Sequence, residues 1–172
     1  SATGLVKTKA EKRLDILHKR ALTQGLEILL GAKTDSRGVV VAECGDGLYE
    51  AAIVSGKSCL KLIRNTGPNS RYLYFHITES WQETWRPVEI DVEYLDDGGG
   101  AFDLEFDAVS GPYKNTGKSV PLGSGKSWKT ATFQLPDPAF HGRLNAGADF
   151  RLRRGDGGDL WVHRVLVRLV AR

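Results

Sequence analysis

The sequence predicts an all-β fold, a sandwich or barrel, preceded by a single helix. From Gly31 onward, short runs alternate apolar with polar residues and are rich in Val, Ile, Tyr and Phe. Turn-forming clusters divide those runs: GDG at 45–47, NTGPN at 65–69, DDGGG at 96–100, GSGK at 123–126 and GDGGD at 155–159. No helix-period segment separates one run from the next, so the strands must cover each other rather than a layer of helices.

The helix comes first. From Val6 to about Gln24, apolar residues recur at Val6, Ala10, Leu14, Leu17 and Ala21, steps of three and four that define one helical face. Lys7, Lys9, Glu11, Lys12, Arg13, Lys19 and Arg20 fill the other faces, and Gly25 suits the C-cap. Strands follow near 38–43, 48–54, 58–63, 71–77, 88–95, 101–107, 118–122, 128–135, 148–153 and 159–169. The division is therefore a helix or linker over 1–25 and a β-domain over 26–172.

The strongest hairpin signal is VEIDVEYLDDGGGAFDLEFD. Val88, Ile90, Val92 and Tyr94 share one face of its first strand, and Phe102, Leu104 and Phe106 one face of its second. Slipping either strand by one residue would bury its carboxylates. That leaves Glu89, Asp91, Glu93, Asp103, Glu105 and Asp107 outside, where Arg151, Arg153, Lys129 and Arg168 are the cations placed to offset them.

Composition limits the function. The chain has 172 residues and a net charge of +3, with its basic residues scattered except at the two ends. That lacks the clustered stripe of a nucleic-acid footprint, so no nucleic-acid partner is expected. No run approaches the roughly 20 apolar residues of a membrane helix, and no membrane partner is expected either. The chain contains no methionine, which suggests a processed product or a piece of something larger. Cys44 and Cys59 would close a disulfide in an oxidising compartment, or serve as buried thiols beside strands.

Catalytic signatures are weak. A glycosidase pair needs one protonated and one ionised carboxyl in a cleft, whereas the acids here follow simple strand alternation. No GxSxG occurs, and His18, His76, His141 and His163 stand apart. GSGKS at 123–127 is not a phosphate loop, because Val120 stands where the first glycine belongs. No cofactor is required. A structural calcium ion would find oxygen ligands in Glu43 with Asp46, or in Asp156 with Asp159. Asp–Gly pairs are equally common turn residues, so both readings stay open.

Aromatic residues near turns are the better site signal. TESWQETWRP at 78–87 places two of the four tryptophans, Trp81 and Trp85, in a connection between strands. Indole and phenol rings stack on the C–H faces of sugars, and polar neighbours hydrogen-bond the hydroxyls. Trp81 and Trp85, with Gln82, Arg86, Tyr113 and Tyr49, are the candidate ligand-binding residues, although both tryptophans would serve equally as core anchors. Trp128 and Trp161 fall on strands and are expected to be structural.

The stretches YLYFHITESW, PVEIDVEYLDDGGGAFDLEFDAVSGPYKNT, SWKTATFQLPDPAFHGRLNAGADFRL and GGDLWVHRVLVRL together resemble β-jelly-roll modules attached to bacterial glycoside hydrolases and related polysaccharide-degrading enzymes. The likeness spans roughly Val39 to Leu169. It implies a jelly-roll β-sandwich and a non-catalytic carbohydrate-binding module, secreted from a bacterium, that holds a neighbouring catalytic domain near its polysaccharide or oligosaccharide. Within the resemblance, stretches like WKTATFQL and NAGADFRL are sheet-forming signature, and Asn145, Asp149 and Arg151 are polar residues there that would hydrogen-bond within the sandwich. A glycan-active hydrolase or lyase domain, and a purely structural domain packed on a catalytic neighbour, are the alternatives.

Overall fold

The computed structural model describes residues 7–13, 16, 24–63, 71–78, 86–155 and 158–170. Residues 9–13, 16 and 24 are helical, within the expected helix. A reciprocal cap opens that helix: Glu11 N donates to Thr8 Oγ1 at 3.2 Å, and Thr8 N donates to Glu11 Oε2 at 2.6 Å. Gly25 follows the last helical residue with φ +77°.

Among the described residues, twelve strands follow in chain order. They are β1 (Leu26–Leu29), β2 (Asp35–Arg37), β3 (Val39–Ala42), β4 (Tyr49–Val54), β5 (Lys57–Leu62) and β6 (Tyr72–Ile77). The rest are β7 (Val88–Leu95), β8 (Ala101–Ala108), β9 (Gly111–Pro121), β10 (Trp128–Leu135), β11 (Phe150–Arg154) and β12 (Leu160–Leu169). The seven-stranded sheet runs β10-β7-β12-β1-β2, with β5 also on β12 and β4 outside β5. The five-stranded sheet runs β3-β6-β11-β8-β9. Every pairing between these named strands is antiparallel, and an isolated parallel bridge joins Glu27 to Gly38. The fold is the expected all-β jelly-roll sandwich.

Alternation fills the space between the sheets. Val88, Ile90, Val92 and Tyr94 of β7 face Phe102, Leu104 and Phe106 of β8 in one core, joined by Leu73, Phe75, Phe133, Phe150 and Val165. Aromatic pairs fix its centre, with Phe75 stacked on Phe150 at 5.0 Å and Tyr94 edge-on to Phe102 at 5.0 Å. In β12 the inward set changes phase from Leu160 and Val162 to Val165 and Val167. A bulge at His163 absorbs the extra residue where β12's partner changes from β5 to β1, and its carbonyl accepts from Leu30 N at 2.8 Å.

One expectation is corrected. β7 and β8 are not a hairpin: β7 pairs with β10 and β12, and β8 pairs with β9 and β11, in opposite sheets. The chain crosses the sandwich edge through 96–100, where Gly98, Gly99 and Gly100 all have positive φ. The six carboxylates therefore split between the two sheets, and Asp107 is not outside as expected but fully buried, where it accepts from the 141–143 segment. Arg168 pairs with Asp91 at 2.7 Å and Glu89 at 3.3 Å, while Arg151 takes Glu105 and Arg153 takes Asp103, each at 2.6 Å. Lys129 turns instead to Asp96, at 2.7 Å. β1, β2 and the first half of β9 went unforeseen, and both cysteines are free thiols.

Candidate functional site

The outer face of the five-stranded sheet carries unusual chemistry for a solvated surface. Alternation in YLYFHI sends Leu73, Phe75 and Ile77 inward and Tyr72, Tyr74 and His76 outward. On β11, Phe150 and Leu152 point inward, so Arg151 and Arg153 face out. Strand register then builds rows across the sheet. Arg151 lies between Tyr74 and Glu105, and Arg153 between Tyr72 and Asp103.

Arg151 organises the middle row. Its Nε donates to Glu105 Oε2 at 2.7 Å and its Nη1 to the Tyr74 hydroxyl at 2.8 Å. The guanidinium carbon lies 3.8 Å from the ring centre of Tyr72 and 4.5 Å from that of Tyr113, so aromatic faces cover a nearly buried cation. Burial pushes the Tyr74 hydroxyl pKa up, and the Arg151 charge opposes that only in part.

Tyr113 reaches this row from β9 at a backbone cost. Its φ of 60° lies in the left-handed region, beside a register irregularity between Phe106 and Ala108. For a bulky side chain that conformation costs of order 1 kcal/mol and needs local support. Asn145 supplies it, with Oδ1 accepting from Tyr113 OH at 2.7 Å and the backbone N donating back at 3.1 Å. Asn145 Nδ2 also reaches Asp46 Oδ2 at 3.4 Å, and Tyr74 OH donates to the same oxygen at 3.0 Å. Leu144, Ala148 and Tyr74 form a small second core there, with Ala42, Cys44, Tyr72 and Tyr113 against it.

Two buried aspartates hold the segment that carries Asn145. Asp149 accepts from Ile77 N at 2.7 Å, Gly142 N at 2.9 Å and His76 Nδ1 at 2.9 Å. Asp107 accepts from His141 N at 2.8 Å and Arg143 Nε at 2.7 Å. Burial raises the Asp149 pKa despite those hydrogen bonds. A raised carboxyl is the property of a general acid, yet Asp149 is wholly inaccessible and no substrate reaches it.

Beside the tyrosines, the turn at 43–48 borders a groove of about 430 Å³ lined by Glu43, Cys44, Gly45, Gly47, Leu48 and Tyr49. Gly47 lies so close to β6 that a Cβ there would stand 2.8 Å from the Tyr72 carbonyl oxygen. The groove and the tyrosine row are therefore neighbours on one surface.

The sequence-derived candidates distribute unevenly. Tyr113 and Asp46 meet through Asn145, although one was a ligand candidate and the other a metal candidate. Tyr49 and Glu43 line the adjoining groove, 3.4 Å apart. Asp159 pairs with Lys61 at 3.4 Å, and the same Lys61 bridges Glu50 at 3.3 Å. Trp81, Gln82, Trp85 and Asp156 lie outside the described residues. Among the described residues, no group of three or more His, Cys, Asp and Glu side chains gathers as a metal site. Arg86 is half-buried at the β7 end of its connection. That connection leaves β6 at Thr78, whose N donates to Gly38 O, six residues or about 20 Å along the strand from Tyr72. Trp128 donates from Nε1 to Val54 O at 3.3 Å, and Trp161 lies beside Lys61, both on strands of the other sheet.

Tyr72, Tyr74 and Arg153 were not singled out as site residues. Their signal was present: aromatic and arginine residues occupy the positions whose neighbours are core, where a plain solvated strand carries Lys, Glu or Thr.

No family model matches the chain, and no curated protein matches it. Among solved structures, the chain is similar to the apo form of BiXyn10A CBM1, at 11% identity and a TM-score of 0.46, covering 77% of this chain and 96% of that one. It is also similar to CBM29_1, a family 29 carbohydrate-binding module from Piromyces equi, at 9% identity and 0.44 over 84% and 91%. The K1 cleaved adhesin domain of Lys-gingipain from Porphyromonas gingivalis W83 aligns at 12% and 0.42 over 77% and 90%. These likenesses carry no ligand or activity to this chain.

Proposed function

We propose that the outer face of the five-stranded sheet binds a polysaccharide or oligosaccharide without cleaving it. The observation that supports this reading is the set of tyrosines around Arg151. Tyr72 and Tyr113 are half-buried and held in place by a cation, a hydrogen bond and a strained backbone, next to an open groove. Rigid aromatic surface with polar groups at its rim suits sugar rings, because little conformational freedom is lost on binding. Trp81 and Trp85, which lie outside the described residues, are proposed as further ring contacts to the same ligand, and a catalytic neighbour in the parent protein would gain proximity to its substrate.

Titration against immobilised polysaccharides tests this reading. Tyr72→Ala and Tyr113→Ala are expected to weaken retention about tenfold each, the scale of one lost ring contact. Trp81→Ala and Trp85→Ala should weaken it with little change in melting temperature. Unchanged retention in both tyrosine variants would remove this face from the binding surface. Release of sugars by the isolated chain would instead favour the hydrolase or lyase alternative. One observation favours a purely structural domain: Arg151 directs its Nε and Nη1 to Glu105 and Tyr74, inside the protein. Complete absence of retention would support that reading.

A further inference from the structure

Three arginines of the binding face, Arg143, Arg151 and Arg153, are matched to carboxylates. Arg153 grips Asp103 with two parallel hydrogen bonds, Nε to Oδ1 at 2.9 Å and Nη2 to Oδ2 at 2.6 Å. Its remaining Nη1 lies 3.5 Å from Glu105 Oε1. Arg151 is bound to Glu105 through Nε and Nη2. Arg143, at the base of the Asn145 segment, holds Asp107 at 2.7 Å. Arg154, though it borders the cleft beside Tyr72, is buried and donates to the carbonyls of Gly99 at 2.7 Å and Ala101 at 3.0 Å.

From this pairing we infer that the face selects a neutral, hydroxyl-rich glycan and discriminates against uronate or sulfated chains. The inference rests on the glycan-binding reading above. An anionic sugar binds through the forked donors of an arginine. Here the forks of the nearly buried Arg151 and the half-exposed Arg153 already hold carboxylates, so an incoming anion must break a bidentate pair and leave Asp103 or Glu105 as a neighbouring like charge. A neutral chain needs no such exchange: the ring surfaces of Tyr72 and Tyr113 and the carboxylate lone pairs at the rim remain for stacking and for hydroxyl donors. Discrimination by an unfavourable contact with the wrong ligand is an ordinary route to specificity. The net positive charge of the chain works the other way, attracting anions at long range. Salt separates that attraction from the short-range contact.

The test uses the full chain on surfaces coated with neutral polysaccharides (β-glucan, xylan, mannan, galactan, agarose) and anionic ones (alginate, polygalacturonate, carrageenan). Each surface is measured in about 0.05 M and about 0.3 M salt. The expected result is retention on at least one neutral surface that salt leaves unchanged, with anionic retention absent or abolished by salt. Asp103→Asn releases the half-exposed Arg153 fork and should raise retention on polygalacturonate about tenfold, the scale of one charge-assisted pair. Salt-resistant retention of the unmodified chain on an anionic surface, with or without neutral binding, overturns the inference while glycan binding stands. Retention on no surface overturns glycan binding itself.

Discussion

Arg151 is held by Glu105 on one side and by tyrosines on the others, and both ends of the ion pair are nearly buried, at 11% and 9% side-chain exposure. Removing one partner of such a pair leaves a charge without solvent or counterion, which costs about 3–5 kcal/mol. Glu105→Ala is therefore expected to lower the chemical-denaturation midpoint strongly. Lys61 offers the contrast: it bridges Glu50 at 3.3 Å and Asp159 at 3.4 Å, with more than half of the Glu50 side chain exposed. Lys61→Ala should cost no more than about 1 kcal/mol, as exposed pairs do. Equal losses in the two variants would contradict the burial argument. Asp149 extends the residue scale to pH. Its folded pKa is raised, so the folded chain keeps a proton that the unfolded chain has already released. Its contribution to stability is then greatest below the ordinary Asp value of about 3.9 and declines as pH rises through the folded value. Asp149→Asn should cost stability at every pH and flatten that decline. A profile parallel to that of the unmodified chain would show that Asp149 does not titrate differently on folding.

At the scale of elements, the crossing at 96–100 decides the topology. Gly98 has φ +95°, and a Cβ on it would stand 2.7 Å from the Asp159 carbonyl oxygen. Gly99 has φ +65° and open space around it. Gly99→Ala should cost about 1–2 kcal/mol from backbone conformation alone, and Gly98→Ala distinctly more, since backbone must also move. Thermal melts of the two variants check the order. The same crossing brings β8 against β11 and so sets Glu105 opposite Arg151. The ion pair at the site thus depends on a turn in a remote connection.

For the whole molecule, the core begins at Leu26: among the described residues before Gly25, every one is exposed. The sandwich is expected to fold without the helical segment. A chain starting at Gln24 should melt within a few degrees of the full one, equivalent to about 1 kcal/mol or less for a domain of this size. A collapse in melting temperature would mean that the helix packs as part of the core. Circular dichroism of the truncated chain should retain the β-sheet signal.

Period-two alternation determined which residues enter the core, because a strand's two faces are fixed by the pleat and a one-residue slip buries charge. Val88 to Tyr94, Phe102 to Phe106 and Leu73 to Ile77 were legible for that reason, as were the arginines that offset the outer carboxylates. Alternation is silent on strand partners. β7 and β8 satisfy the same pattern as a hairpin or as an arch between sheets, and only the positive-φ glycines and the packed sandwich select the arch. β1 was too short to show a period, and the first half of β9 is a polar edge with an irregular register. The candidate site was legible in its parts: Tyr113, Asp46, Asn145 and Arg151 each stood out as polar or aromatic residues near turns or on strands. Their meeting was not, since Asn145 and Asp46 are 99 residues apart and come within 3.4 Å only when β6, β11 and the two flanking turns assemble. Local sequence sets the face on which a side chain stands. The order of strands within a sheet, which minimises unpaired edges and buries the shared apolar surface of both sheets at once, sets its neighbours.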